Sequence, residues 1–415
     1  MKSSILTTLV CCTAALSAQQ PAVMELGVVL KASELLPADV LRGPSYRVRD
    51  LVETDGYLAH FLIDSDFGTF KAVGVPQAKQ RIIEVEAIKT LVETSKGDLF
   101  AEGLKRSVEQ PIDAVKNIVK NPVDSVKEAP KTVVHFFSKV GSAIGRTTTK
   151  IKDSAEGGGP EPTAGQIGSG IGNAAKNIAG FDKARLATAK QLQVDPYSDN
   201  TRLQEEMDKV TWAFFAGGLP LRVGAAVASA GFAVAATNMV GVPDDTYALT
   251  QAELAFRDGR SLSAMGMTDE DISTFQLHPA LSTTRRHRIT LALEALPKTK
   301  GRGKIILLAN ACETPEQADF LIGALTILAQ QQRSGKADYA SIEVIGRLPG
   351  ATTGGGELQV PAPVDYVTWT EQVNGFAHRD DLGTAPLVLV HTGKFSPAAA
   401  EGFKAAGWSM VPVAY

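Results

Sequence analysis

A cysteine and a histidine are the two side chains in this sequence best placed for covalent chemistry. Cys312 stands two residues before Thr314, which is placed to cap a helix whose N-terminal amides would favour a thiolate. His391 follows a predicted strand, and strand ends line clefts in α/β sheets. With Asp380 or Asp381 nearby, such a pair would suit a nucleophilic hydrolase or transferase. No catalytic signature surrounds Cys312, however, and a lone cysteine beside an apolar run is usually a buried small hydrophobe. We therefore assign no catalytic residue and keep catalysis as an alternative.

The most distinctive pattern lies in residues 97–152, where basic side chains outnumber acidic ones. Three imperfect eleven-residue units begin at Phe100, Pro111 and Pro122, and each contains an acid, a small residue, an apolar residue and a lysine in that order. An eleven-residue period returns to nearly the same helix face, so the apolar positions form one stripe. The pattern predicts short amphipathic helices joined by kinks. It is similar to the proline-punctuated units of exchangeable apolipoproteins, a resemblance that covers these units alone and implies contact with lipid.

Residues 129–152 carry basic side chains and no acidic ones, interleaved with valine, isoleucine and phenylalanine. A helix of this composition can lie in a headgroup layer and is attracted by anionic lipid. The predicted contact residues, for an anionic membrane surface or an envelope protein, are Lys131, Val134, Phe136, Phe137, Lys139, Val140, Ile144 and Arg146. The alternative is that the apolar stripe packs onto the protein itself while the lysines stay solvated.

The first residues predict a secretory signal peptide, residues 1–18. A lysine precedes an uncharged apolar run that is too short to cross a bilayer as a mature helix. The small residues Ala15 and Ser17 favour cleavage after Ser17 or Ala18. Lipidation of Cys12 fits less well, because the residue before it is a second cysteine rather than Gly, Ala or Ser. We expect an exported protein of the periplasm or cell envelope.

Composition limits the remaining function classes. A net charge of −3 over 415 residues argues against broad nucleic-acid binding. Removal of the signal peptide would leave Cys312 as the one cysteine, so stability must come from burial rather than from a disulfide within the chain. The histidines lack zinc-site spacing and the glycines lack a phosphate-binding fingerprint. We predict no metal and no cofactor.

The elements that must position these groups change character along the chain. Before residue 97, turn signals separate predicted strands at 57–63 and 69–73, and a helix begins at Pro76. In the helical middle, one helix is predicted to begin at Asn200 or Thr201, with Gln204 placed for a capping box, and another is predicted to begin at Thr268. Within it, residues 212–239 are apolar enough that membrane insertion is a further alternative.

From residue 301, strands alternate with helices. Lys304–Ala309 is predicted as a buried strand, and helices are predicted to begin at Thr314 and Ser396. The further predicted strands are 341–345, 357–360, 365–369, 386–390 and 408–413. An antiparallel hairpin is expected across residues 351–356.

The sequence as a whole predicts an α+β or α/β multidomain protein with a small N-terminal β-meander, an amphipathic and helical middle, and a C-terminal α/β domain with a mixed sheet. The predicted regions are the signal peptide at 1–18, a small mixed region at 19–96, the amphipathic segment at 97–152, a Gly/Pro-rich linker at 153–180, a helical region at 181–300 and the C-terminal domain at 301–415. The observations favour a non-catalytic binding or structural protein.

Overall fold

The structure is a computed structural model that describes residues 23–109, 180–219 and 241–414. These residues form an N-terminal antiparallel sheet, a helical middle and a C-terminal mixed sheet with helices. The predicted α+β multidomain fold class is therefore confirmed.

The N-terminal sheet is an antiparallel meander around one long strand. Its strands are β1 (Val29–Lys31), β2 (Tyr46–Val48), β3 (Leu51–Thr54), β4 (Ala59–Ser65) and β5 (Gly68–Val73), with the short helix α1 (Ala32–Leu35) after β1. One edge of β4 pairs first with β3 and then with β2, and its other edge pairs with β5. Ala59, Phe61 and Ile63 alternate inward along β4, so the buried face follows the period of a strand. The two strands predicted here correspond to β4 and β5.

A long helix connects the meander to the helical middle. The helices of this part are α2 (Val75–Thr94), α3 (Asp98–Glu109), α4 (residues 180–192) and α5 (Thr201–Ala216). Pro76 lies in the first turn of α2, as predicted. One side of α2 places Ile82 and Val85 in the core of the meander, and another places Ile88 and Leu91 against α4 and α5. Because α2 is buried on both sides, it joins two cores.

The first of the three eleven-residue units packs onto the protein. It lies in α3, where Phe100 is 6% exposed and belongs to the core shared with α5. Gly103 allows the close approach of the two helices, because a Cβ atom at this position would lie 2.5 Å from the carbonyl oxygen of Ala213. A Cβ atom on Gly217 would lie 2.6 Å from the Cα atom of Gly103. The apolar stripe of this unit is therefore covered by α5.

The remaining helices of the middle are α6 (Asp245–Ala248), α7 (Gln251–Ala264), α8 (Asp269–Leu277) and α9 (Thr283–Glu294). Thr268 caps α8 as predicted, accepting a hydrogen bond from the amide of Asp271. Asn200 caps α5 by accepting from the amide of Leu203, but the predicted capping box with Gln204 is wrong. The side-chain oxygen of Gln204 instead accepts a hydrogen bond from Arg185, a tertiary partner that local spacing cannot reveal.

The predicted strand Lys304–Ala309 is wrong, because this segment lies in a helix, α10 (Gly303–Asn310). Ile305, Ile306 and Ala309 are buried, whereas Leu307 is 59% exposed. Burial at these positions follows one face of a helix, and a short apolar run cannot by itself distinguish helix from strand. Cys312 therefore follows a helix rather than a strand.

The C-terminal part is a five-stranded mixed sheet with helices on both faces. Its elements are α11 (Pro315–Arg333), β6 (Tyr339–Ile345), β7 (Leu348–Thr353), β8 (Leu358–Ala362), β9 (Tyr366–Val367), α12 (Glu371–Ala377), β10 (Leu387–His391), β11 (Lys394–Phe395), α13 (Pro397–Ala405) and β12 (Trp408–Pro412). The sheet order is β12-β10-β8-β7-β6. The strands β8, β10 and β12 are parallel, whereas β8, β7 and β6 are antiparallel, as expected for the predicted hairpin.

The two faces of this sheet belong to different cores. Val388 and Val390 of β10 pack with Ile327 of α11, whereas Leu389 packs with Phe403 of α13 on the opposite face. Helices begin at the predicted Thr314 and Ser396 caps. The strand predicted at 365–369 is shorter, since β9 covers two residues and pairs with β11 in a separate small sheet.

A network of charged side chains joins α2, α9, α11 and the loop before α5. Arg81 pairs with Glu84 at 2.6 Å and also with Asp199. Arg285 donates to Asp199 at 2.8 Å and to both carboxylate oxygens of Asp319, at 2.7 and 2.8 Å. Burial alone would raise the pKa of Asp199, but the two guanidinium groups outweigh it and hold this pKa below its ordinary value. The network fixes the helical middle against both sheets.

The contact between α3 and α5 makes a steric prediction. We expect Gly103→Ala to lower the free energy of unfolding by about 1–3 kcal/mol, because the new methyl group would press on the Ala213 carbonyl. The control is Gly375→Ala in α12, where a Cβ atom has nothing within 4 Å. There, the better helix propensity of alanine should be neutral or raise the free energy of unfolding by up to about 1 kcal/mol. Chemical denaturation measures both variants, and equal responses would contradict the close approach.

The charge network makes an energetic prediction. We expect Arg285→Gln to lower the free energy of unfolding by about 3 kcal/mol, because it leaves the carboxylates of Asp199 and Asp319 without their shared cation. The matched control is Arg379→Gln, which breaks a solvent-exposed pair with Asp381 and should change stability little. Urea denaturation of the two variants tests the difference. A loss at Arg285 no larger than that at Arg379 would show that the network is not a structural tie.

Candidate functional site

A cavity of about 690 Å³ lies where the meander meets the C-terminal domain. Its volume is within the range of typical small-molecule sites. Its walls come from the β3–β4 turn, the junction of α10 and α11, the ends of β7 and β8, and α12. The side chains that line the cavity include Tyr57, His60, Cys312, Glu316, Phe320 and Arg347.

Aromatic side chains form much of the cavity wall. Tyr57 and Phe320 meet edge to face with their ring centroids 6.0 Å apart, which joins the meander to α11 across the cavity. Phe403 meets Phe395 at 5.7 Å and Phe376 at 6.5 Å. Contacts of this geometry are favourable between aromatic rings and restrict the motion of each ring. Packed aromatic rings therefore form an apolar wall of the cavity.

The meander is held against this wall by a buried carboxylate. Asp365 accepts hydrogen bonds from the amides of Ala59, at 2.9 Å, and Val75, at 3.1 Å. The Asp365 amide in turn donates to the carbonyl of Tyr57 at 2.9 Å. Burial raises the pKa of Asp365 to about 6 from 3.8, and the nearby Asp55 carboxylate raises it further, although the two amides oppose the shift.

A tight turn completes this attachment. The carbonyl of Gly56 accepts a hydrogen bond from the Thr368 amide at 2.9 Å. Gly56 has a φ of 106°, and a Cβ atom there would lie 2.9 Å from the Thr370 methyl group. Both the backbone conformation and the close approach therefore require glycine at this position.

The polar groups of the cavity lie largely at its exposed rim. Nε2 of His60 is 3.2 Å from the carboxylate of Asp55, and Arg347 pairs with Glu313 at 3.1 Å. Glu316, in the first turn of α11, forms no hydrogen bond or ion pair with the described residues. The rim therefore holds one ion pair, one histidine–carboxylate contact and one carboxylate that has no partner among the described residues.

Cys312 lines the cavity but is only 8% exposed. Its Sγ donates to the carbonyl oxygen of Leu308 at 3.5 Å. Burial raises the pKa of the thiol, and the opposing effect of Arg347 is smaller. The thiol is therefore protonated at neutral pH, and the expected stabilisation of a thiolate by the α11 N-terminus is outweighed by desolvation.

His391 lies at the end of β10, as predicted, but it does not line the cavity. Its Nδ1 is 2.9 Å from the carbonyl of Gly393, and burial lowers the pKa of the imidazole. Its ring packs against Phe395, which does line the cavity, at 4.6 Å. Among the described residues no hydrogen bond joins Cys312 to His391. Asp381 is paired with Arg379 rather than with the histidine.

The other predicted contact residues fall outside the described ranges. All eight lipid- or partner-contact residues, from Lys131 to Arg146, lie there, so contact with an anionic surface stays a prediction. Of the apolar segment 212–239, the part up to residue 219 is described, and Ala213 and Phe214 are buried in the core with α2 and α4. In the described part of the chain, no helix combines the length and hydropathy required to cross a membrane.

Sequence reasoning missed most of the cavity. It predicted a strand at 57–63 but not the role of Tyr57 and His60 in a cavity wall, because most of the other lining residues, from Leu308 onwards, are hundreds of residues away in the chain. A buried Asp365 likewise carries no local signal. Comparisons with protein-family profiles, with curated proteins and with solved structures found no match for this chain.

The buried carboxylate makes a pH prediction. The folded protein takes up a proton on Asp365 as the pH falls through about 6, whereas the unfolded chain does so near 3.8. The folded state thus binds more protons in this window, so the contribution of Asp365 to the free energy of unfolding rises by about 2 kcal/mol as the pH falls from about 7 to about 4. Asp365→Asn should lack this rise when urea denaturation is repeated across the pH range.

The protonation of Asp365 can also be measured directly. The ¹³C chemical shift of the Asp365 carboxyl group should change with a midpoint near 6 in the folded protein. A midpoint near the ordinary value of 3.8, with equal pH dependence in the two proteins, would contradict the buried, desolvated carboxyl group.

Proposed function

We propose that the protein is an exported, non-catalytic binding protein whose cavity holds a small, mainly apolar ligand. The cavity between the meander and the C-terminal domain is the observation that carries this proposal. Ligand sites are typically concave, mostly apolar and provided with a few polar groups that orient the ligand. The aromatic wall and the polar rim fit that description.

Access to the cavity supports binding from solution. The lining residues Ala311, Glu316, Gln317 and Gln372 are exposed, whereas Val360, Leu389 and Phe403 are buried deeper in the wall. An apolar molecule would therefore enter past polar side chains and exchange water for aromatic and aliphatic contacts. Burial of that surface supplies the favourable free energy.

The state of Cys312 favours binding over catalysis. A nucleophilic cysteine requires a lowered pKa or an adjacent base, whereas burial raises the pKa of this thiol. A hydrolase or transferase that uses Cys312 and His391 remains the alternative hypothesis. It would need a rearrangement that brings the two side chains together, because among the described residues Cys312 and His391 each bond to a backbone carbonyl instead.

Export and location rest on the N-terminal sequence. The short apolar run before Ala18 and the small residues at its end support a cleaved signal peptide. The ligand would then be a molecule of the periplasm or the cell envelope. Contact between residues 129–152 and an anionic membrane surface is a further prediction, independent of the cavity.

A blocking substitution tests the cavity. Nile red, a neutral fluorophore whose emission rises in apolar surroundings, should bind the purified full-length protein with saturable one-to-one stoichiometry. Ala311→Trp places an indole ring at the cavity mouth and should weaken this binding by about tenfold or more, equivalent to at least 1.4 kcal/mol. The matched control, Ala252→Trp on the exposed surface of α7, should bind as the wild type does.

Two outcomes would overturn the proposal. The first is the absence of saturable binding by the wild-type protein. The second is equal binding by Ala311→Trp and wild type when circular dichroism shows that both are folded, because the fluorophore would then occupy another surface.

A further inference from the structure

The charged side chains that line the cavity differ in whether they have partners within the protein. Arg347 is the arginine among the described lining residues, and its guanidinium is already paired with Glu313 at 3.1 Å. Asp55 is paired with His60 and also accepts hydrogen bonds from the amides of Tyr57 and Leu58. The guanidinium of Arg347 is thus compensated by Glu313, and the carboxylate of Asp55 is engaged by contacts within the protein.

Glu316 is the exception. It lines the cavity, is exposed, and has no ion-pair or hydrogen-bond partner among the described residues. The N-terminus of α11 offsets part of its charge, because helix amides there carry a partial positive charge. That effect is limited to a fraction of an elementary charge, so the mouth of the cavity retains a negative potential.

The aromatic wall adds to this preference. Tyr57, Phe320, Phe376, Phe395 and Phe403 all line the cavity. The faces of aromatic rings attract cations, and the attraction is strongest where water is excluded. A carboxylate or phosphate on the ligand would instead meet Glu316, and the described lining residues offer no unpaired arginine or lysine to bind it.

We infer that the preferred ligand carries a cationic group beside its apolar body. This inference rests on the proposed function, since it assigns the class of ligand to the same cavity. An alkyl or aryl amine or a quaternary ammonium compound fits, with its charge at Glu316 and its apolar part against the aromatic wall. A fatty acid of the same length fits less well.

Three probes of equal chain length separate the contribution of charge from that of apolar burial. Dodecyltrimethylammonium, dodecanol and dodecanoate, each below its micelle concentration, would compete with Nile red on the full-length protein. The cation should bind about tenfold more tightly than the anion at low ionic strength, with the alcohol between them. Added salt should reduce this preference, because the rim is exposed to solvent.

Charge-removing variants assign the preference to one side chain. Glu316→Gln should weaken binding of dodecyltrimethylammonium by about three- to tenfold and leave dodecanol unchanged. The matched control is Glu270→Gln, which removes a glutamate from the first turn of α8, outside the cavity, and should alter neither affinity. Glu313→Gln frees Arg347 and should instead strengthen binding of dodecanoate.

The outcomes distinguish this inference from the function on which it rests. If Nile red and all three probes fail to bind, the proposed function fails. If dodecanol binds but the cation has no advantage over the anion, or if Glu316→Gln weakens all three probes equally, the cationic preference is overturned while the apolar binding site stands.

Discussion

One carboxylate shared by two largely buried arginines links several of the described parts of this protein. Arg81 on α2 and Arg285 on α9 both pair with Asp199, and Arg285 also forms an ion pair with Asp319 on α11. The geometry of the cavity depends on this arrangement. Asp319 stands next to Phe320, whose ring meets Tyr57 of the meander, so fixing the carboxylate fixes one wall of the cavity.

The network is better understood as a means of specifying geometry than as a source of stability. Removing guanidinium and carboxylate groups from water costs free energy that their mutual attraction recovers only when the hydrogen bonds are well formed. Here the condition is met, because Glu84 also accepts hydrogen bonds from Ser198 at 2.5 Å and Asn200 at 2.9 Å. An apolar cluster of similar volume would tolerate sliding between helices, whereas these directional bonds favour a single register. Arg81 of this network lies on α2 and helps to position that helix. Because Val75 is the first residue of α2, the network also helps to place the Val75 amide that donates to Asp365.

Local sequence signals predicted the elements whose ends are set by their own residues. The caps at Thr268, Thr314 and Ser396 are hydrogen bonds within one helical turn, so the residue types alone predicted them. The segment at 304–309 was assigned to the wrong element because its apolar run fits both periods, and only its tertiary neighbours select the buried face. The alternating pattern of residues along β4 was sufficient to predict a strand, because one face of this strand packs in the core of the meander.

The candidate site was beyond such signals for a physical reason. Its walls combine residues from Asp55 to Phe403, which only the assembled tertiary structure brings together. Cys312 precedes the α11 N-terminus and lines the cavity, yet the chemistry expected of its thiol depends on desolvation. Burial is a property of the whole fold, and here it reverses the expected direction of the thiol pKa.

The amphipathic segment shows how one pattern can serve two environments. An apolar stripe with a small residue in each unit suits a lipid surface, but it equally suits close packing against another helix. In the first unit the small residue is Gly103, which lies against Ala213, and Phe100 is buried beneath Lys209. The sequence of the later units offers Ala114 and Ser125 at the same position, so a small residue recurs in the sequence where Gly103 stands in the first unit. Their basic neighbours, rather than the apolar stripe, are therefore what distinguishes membrane contact from packing.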